Sequence, residues 1–184
     1  MCVKSVWHNP IPHQLIPSGD SESFKSLLTT YSTSLPIENH CGAFGVKRKF
    51  DVHTGVDLYV QKGTPVFSVE SGVVVNIVDF TGKNCHSNWW MDTKAVFVQG
   101  ESGVVVYGEI APHCEVGDSL VTGSLVGVVI PVLKKNKGRP TTMLHIELLK
   151  HGSSHPVTWY ERKPEVLLDP TPHLLEVAKN KRIS

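Results

Sequence analysis

The sequence predicts an all-β protein, an antiparallel β-sheet or sandwich that carries short helical extensions at its N- and C-termini. Three observations point there. Between Phe44 and Leu149 the chain runs in short segments rich in Val, Ile and Tyr, punctuated by Gly, Pro, Asp and Asn. Apolar residues at helical spacing are confined to two short stretches outside that region. A composition of 40% hydrophobic and 19% charged residues over 184 residues is that of an ordinary globular chain, sized for one domain with extensions.

Residues 1–40, rich in Pro, Ser and Thr, form an N-terminal extension. It holds one helical stretch, Ser21 to Tyr31, in which Phe24, Leu27, Leu28 and Tyr31 recur at helical spacing and Ser21 or Ser23 is suited to cap the first turn. A solvated or strapping arm is expected. The β-rich unit occupies 41–155, with strands expected at Gly55–Tyr59, Pro65–Val69, Gly72–Val78, Ala95–Val98, Gly103–Tyr107, Ser124–Ile130 and Leu144–Leu149. Two long connections interrupt it, Asp79–Lys94 and Pro131–Thr142, and such connections in compact domains tend to be binding loops. The first carries Trp89 and Trp90, suited to stacking on a partner or to pinning the loop on the core. The second carries Lys134, Lys135, Lys137 and Arg139, a solvated charged loop or an anion contact. Residues 156–184 make a C-terminal extension, where Pro172 to Lys181 has the proline start and apolar spacing of a closing helix.

Charge narrows the partners little. A formal net charge of +1 gives no strong overall field, so no nucleic-acid partner is predicted. No window reaches the roughly eighteen uninterrupted apolar residues of a membrane helix, so no membrane span is predicted. Residues 1–19 lack the continuous apolar core of a secretory signal, which makes a cytoplasmic location the expectation and leaves an extracellular one open. Cys2, Cys41, Cys85 and Cys114 lie far apart without a C-x-x-C pair, so free thiols are expected, a bridge through Cys41 or Cys85 staying open for a secreted precursor.

Two motifs carry chemistry. His53-Thr-Gly-Val-Asp57 sets an imidazole and a carboxylate four residues apart around a glycine at the entry to a strand, and both donors suit zinc. Met143-Leu144-His145-Ile146-Glu147 begins a strand whose alternation puts Met143, His145 and Glu147 on one face. Alone, each has a bland reading: a chance His/Asp spacing and a satisfied strand histidine.

Taken in order, HTGVDLYVQKGTPVFSVESGVVV, VVVYGEI, VGDSLVTGSLVG and MLHIEL resemble the core of the lysostaphin- and LytM-type zinc metallopeptidases, peptidoglycan endopeptidases built on a duplicated hybrid motif. The resemblance spans Phe44 to Leu149. It implies a Zn2+ centre held by His53, Asp57 and His145. It also implies two further histidines that handle protons, and both positions differ. Where the family reads Tyr-Gly-His, this chain has Tyr107-Gly108-Glu109, and where the family reads His-x-His, it has Met143-Leu144-His145. A thioether neither accepts a proton nor donates a hydrogen bond to a developing oxyanion. Glu109 has three readings: a general base, a fourth metal ligand that closes the site, or a side chain in solvent. His113 is a further histidine near the altered strand.

The leading expectation is a zinc-binding, catalytically degenerate relative of these peptidases, a pseudoenzyme that binds a peptide, glycan or protein partner in a groove near the metal. The alternative is an active metallohydrolase with Glu109 as its base. A phosphocarrier of the glucose type, which shares the duplicated β architecture and a His-x-Gly-x-Asp element, is the third. Retention of all three ligand types argues against a bare scaffold that binds no metal.

Overall fold

In a computed structural model, residues 6–136 and 138–180 are described; Cys2, Lys137 and Lys181 lie outside them. The described residues form eleven strands, two α-helices and one 3-10 turn at Lys83–Cys85: β1 Gln14–Ser18, α1 Ser23–Leu27, β2 Ser32–Pro36, β3 Val56–Tyr59, β4 Pro65–Phe67, β5 Gly72–Thr81, β6 Thr93–Gly100, β7 Val104–Pro112, β8 Ser119–Leu120, β9 Leu125–Val129, β10 Met143–Leu149, β11 Leu167–Leu168 and α2 Thr171–Lys179. Nine strands form one sheet in which every pairing is antiparallel. The predicted all-β class and the seven expected strands are all present, with ends displaced by a few residues.

Strict alternation positions the site. Along β10, Leu144, Ile146 and Leu148 join the main core with Val56 and Leu58 of β3 and Val105 and Tyr107 of β7. Met143, His145 and Glu147 therefore share the opposite face, alongside Asp57 and Tyr59 of β3. Register fixes the rest: His145 lies between Asp57 on one side and Gly108 on the other.

The first long connection is shorter than the sequence predicts. β5 and β6 continue past Asp79 and Lys94, which form an ion pair at 2.9 Å, to Thr81 and Thr93, whose hydroxyls lie 2.7 Å apart. The remaining loop is tied to the second one: Trp90 bridges Leu133, the Met91 amide donates to the Val132 carbonyl at 2.8 Å, and Lys134 Nζ donates to the Asn88 carbonyl at 2.6 Å.

The N-terminal segment is more ordered than its composition suggests. β1 and β2 pair in parallel around α1, a topology in which Pro17 and Pro36 are tolerated because no inner ladder needs their missing N–H groups. Trp7, Ile11, Leu15 and Leu35 join the main core. α1 spans only Ser23–Leu27, and neither Ser21 nor Ser23 caps it; Asp20 Oδ1 instead accepts from the Glu22 amide at 2.9 Å. Leu174 and Val177 of α2 enter the same core, and His173 stacks on Trp7 with ring centroids 4.5 Å apart. Cys41, Cys85 and Cys114 are free. No helix among the described residues is long and apolar enough to cross a membrane.

Candidate metal centre

Three segments converge on one point beneath the sheet. His53 follows a hairpin that closes with the Lys47–Val52 bridge; its backbone exchanges hydrogen bonds with Gly45 and Val46, each 2.9 Å long. Asp57 is the second residue of β3, its amide donating to the Gly42 carbonyl at 2.9 Å. His145 is the third residue of β10, directly opposite Asp57. Gly55 makes this approach possible: a Cβ there would stand 2.5 Å from the Ile146 carbonyl oxygen and 2.7 Å from His145 Nε2.

His53 Nε2, Asp57 Oδ1 and His145 Nδ1 form a triangle with sides of 3.2, 3.2 and 2.8 Å. These are the residues the sequence singles out as metal ligands, and the fold gathers them into one cluster suited to hold a metal ion. All three are buried, at 2%, 4% and 6% exposure.

The donor set fits zinc. Bonds of about 2.0–2.1 Å in a tetrahedral array place donor atoms roughly 3.3 Å apart, close to the spacing found. The outer atoms of each group are already engaged. His53 Nδ1 donates to the Ala43 carbonyl at 2.9 Å, leaving a lone pair on Nε2. His145 Nε2 lies 2.9 Å from Glu147 Oε1, which also accepts from Thr54 Oγ1 at 2.5 Å, so Nδ1 faces the cluster. Asp57 Oδ2 is taken by Arg48 Nη2 at 2.8 Å. Neither Glu147 nor Arg48 is distinguished by sequence pattern; Glu147 shares the His145 face, but Arg48 reaches Asp57 only through the hairpin.

Electrostatics follow from burial and these pairings. Burial would raise the Asp57 carboxyl, but the His53 and Arg48 charges and the imidazole hydrogen bonds overcome it and hold the group well below the usual carboxylate range. Burial lowers His53. Burial also opposes charge on His145, yet hydrogen bonds and attraction from Asp57 and Glu147 prevail and push it up to about 10. In the metal-free protein the hydrogen bonds to Asp57 and Glu147 thus favour the charged form of His145.

Glu109 is the residue of β7 left unpaired where the β6 register shifts, and it adopts φ +68°, an uncommon conformation for a non-glycine side chain. It is 7% exposed, which overturns the solvent reading. It stands outside the three-residue cluster. Its Oε2 is buried without a hydrogen-bond partner, and burial followed by the Asp57 charge pushes its carboxyl up to about 8. Gly108 before it leaves room for the Phe80 ring, which packs 5.3 Å from the His145 ring.

Met143 pairs with Tyr59, two residues along from His145 and Asp57. There Phe24 of α1 joins Tyr59 and Met143 in a separate buried cluster, with Cys41 at its edge and Phe24 5.3 Å from the Tyr59 ring. His113 is exposed beyond β7 and takes no part in the metal cluster. Of the tryptophan pair, Trp90 is half-buried against the second loop while Trp89 is 63% exposed.

No family model matches the sequence, and no curated protein matches it. Solved structures do. The chain is similar to the catalytic domain of the antimicrobial peptidase lysostaphin from Staphylococcus simulans at TM-score 0.51 and 18% identity, over 73% of this chain and 89% of that one. It is similar to a mutant catalytic domain of the prophage-encoded M23 protein EnpA from Enterococcus faecalis at TM-score 0.50 and 19% identity, over 73% and 95%. A Pseudomonas aeruginosa protein provisionally assigned to peptidase M23 matches at TM-score 0.48 and 16% identity over 80% of this chain, which spans 46% of that longer protein. The fold is thus that of the M23, lysostaphin-type peptidase domain.

Proposed function

We propose that this protein holds zinc through His53, Asp57 and His145, does not efficiently hydrolyse peptides, and acts by binding a peptide, glycan or protein partner beside the metal. The observation that carries the reading is the setting of Met143. At the position where the resembled peptidases keep a proton-handling histidine, this chain has a thioether buried with Phe24 and Tyr59. Zinc supplies Lewis acidity and a fixed positive charge at the three donor atoms. Met143 offers nothing to a proton or an oxyanion, and loss of one such donor slows catalysis by about 10²–10³-fold.

The test is metal analysis of the purified protein and of His145→Ala, with incubation against glycine-rich peptides and muropeptides. Stoichiometric zinc that is lost in the variant, without zinc-dependent cleavage, is expected. Cleavage that needs zinc and survives substitution of Met143 overturns the reading.

One observation favours a second reading, an active metallohydrolase. Glu109 has a buried, unpartnered carboxyl oxygen on a strained backbone near the ligands, and it would serve as a general base once its raised carboxyl gives up its proton, at alkaline pH or beside a bound cation. Under that reading Glu109→Gln abolishes hydrolysis while zinc stays bound.

A further inference from the structure

Asp57 divides its two carboxylate oxygens between different partners. Oδ1 faces both imidazoles, at 3.2 Å from His53 Nε2 and 2.8 Å from His145 Nδ1, whereas Oδ2 is held by Arg48 Nη2 at 2.8 Å. Arg48 is not free to drift. Its amide donates to the Asp51 carbonyl at 2.8 Å within the 47–52 hairpin, and the same hairpin delivers His53. Its Nη2 also reaches the Cys41 carbonyl at 3.4 Å, next to Gly42, whose own carbonyl fixes the Asp57 amide. The guanidinium and the carboxylate it grips are thus positioned by adjoining stretches of backbone.

We propose that Arg48 is a positioning residue that selects the metal, by restricting Asp57 to a single donor oxygen. The inference rests on the zinc reading above. With Oδ2 engaged, the centre presents two imidazole nitrogens and one oxygen, a set that suits four-coordinate zinc. Manganese and calcium favour six or more oxygen-rich ligands and gain from a carboxylate that binds through both oxygens. The guanidinium charge beside Asp57 further weakens the site for such hard cations. Removing Arg48 frees the carboxylate to turn and offer both oxygens.

The experiment uses full-length protein stripped of metal: wild type, Arg48→Met and Arg48→Lys, each checked for folding by circular dichroism. Competitive uptake of Zn2+ and Mn2+ is measured by equilibrium dialysis with metal analysis, and the visible absorption of the Co2+-loaded protein reads coordination number. Arg48→Met is expected to narrow the zinc-over-manganese preference by about tenfold or more and to weaken the cobalt bands as a further oxygen binds. Arg48→Lys falls between, because an ammonium keeps the charge but not the planar fork. An unchanged ratio, even with both affinities reduced by one common factor, assigns Arg48 a merely structural part and overturns the proposal. Should Arg48→Met not fold, the same ratio in Arg48→Lys decides it. Wild-type protein that takes up no metal overturns the zinc reading and this proposal together; zinc uptake with an unchanged ratio overturns only the role of Arg48.

Discussion

Strands β3 and β10 meet at two neighbouring registers, and the two are built on opposite principles. Where Asp57 faces His145, the facing atoms all have partners: the Ala43 carbonyl holds His53, Glu147 holds His145, and Arg48 holds Asp57. Where Tyr59 faces Met143, the contacts are mainly apolar and aromatic: Phe24 from the N-terminal arm closes over them, the buried His40 ring packs against Phe24 and Tyr59, and the Tyr59 hydroxyl lies 3.7 Å from the Cys41 thiol. A buried polar cluster is tolerated when most of its groups are paired, and here the three possible ligands are, while Glu147 Oε2 is buried without a partner. The second register has the hallmark of a packing position. One pair of strands thus carries a cluster of three possible metal ligands at one register and a buried Met143 packed with Phe24 and Tyr59 at the next.

The largest effect expected to separate the two registers is that of His145→Ala. It removes a donor from the centre and leaves Asp57 and Glu147 buried without the imidazole between them. Metal uptake should vanish, and stability should fall by about 3–5 kcal/mol, the usual consequence of stranding a buried charge. Metal analysis and denaturant unfolding read the two effects; near-wild-type stability would show that the carboxylates are not held by this histidine. Next comes Phe24→Ala, which opens a cavity above Met143 at a cost of about 3–4 kcal/mol while leaving the donor triangle untouched. Zinc affinity unchanged beside a large loss of stability would sharpen the contrast. A parallel loss of zinc would break it.

Above about pH 6.5, where His13, His40 and His53, held neutral by burial, no longer take up protons on unfolding, the pH response of the metal-free protein reports chiefly on His145 and Glu109. His145, raised to about 10 in the folded state from an ordinary value near 6.5, contributes stability that is complete below about pH 6.5 and is lost as pH rises toward 10. Glu109 has the same slope for a different reason. Its folded carboxyl, raised to about 8, keeps a proton that the unfolded chain gives up above about pH 4.5, so unfolding is favoured progressively between those values. Thermal melts of the metal-free protein should therefore fall from about pH 7 to about pH 9. Glu109→Gln should flatten the part below pH 8, and an identical slope in that variant would show that Glu109 is charged at neutral pH. Zinc uptake, which must displace the His145 proton, should strengthen as pH rises across the same range.

The polar register was far more legible in the sequence than the apolar one, for a physical reason. A donor set imposes residue types and spacings that survive in one dimension, as the His53/Asp57 pair around Gly55 does. The strand pattern that carries them is equally visible, because alternation follows from the pleat. What could not be read was set by contacts distant in sequence. Arg48 reaches Asp57 only because a hairpin turns back, and Phe24 reaches Met143 only because β1 and β2 pair around a five-residue helix. That parallel pair itself was hidden by a composition rich in Pro and Ser. Glu109 was legible as a departure but not as a buried group on a left-handed backbone, which depends on the register shift between β6 and β7.

The smallest expected effect is the most discriminating. If Met143 serves only to fill space beneath Phe24, then Met143→Leu, a nearly volume-conserving exchange, should cost less than about 1.5 kcal/mol and leave zinc binding as it was. Met143→His at the same place restores the imidazole of the resembled peptidases but sets a polar ring among Phe24, Tyr59 and Cys41, so it should destabilise more than leucine does. It should also yield no cleavage of glycine-rich peptides by itself, because the arm still covers the position. Paired with Phe24→Ala, the same histidine is open to a substrate, and zinc-dependent cleavage in the double variant would mean that a single register separates this centre from a working peptidase. A double variant that binds zinc and remains inert would place the missing chemistry at Glu109 as well, where the backbone and the burial differ together.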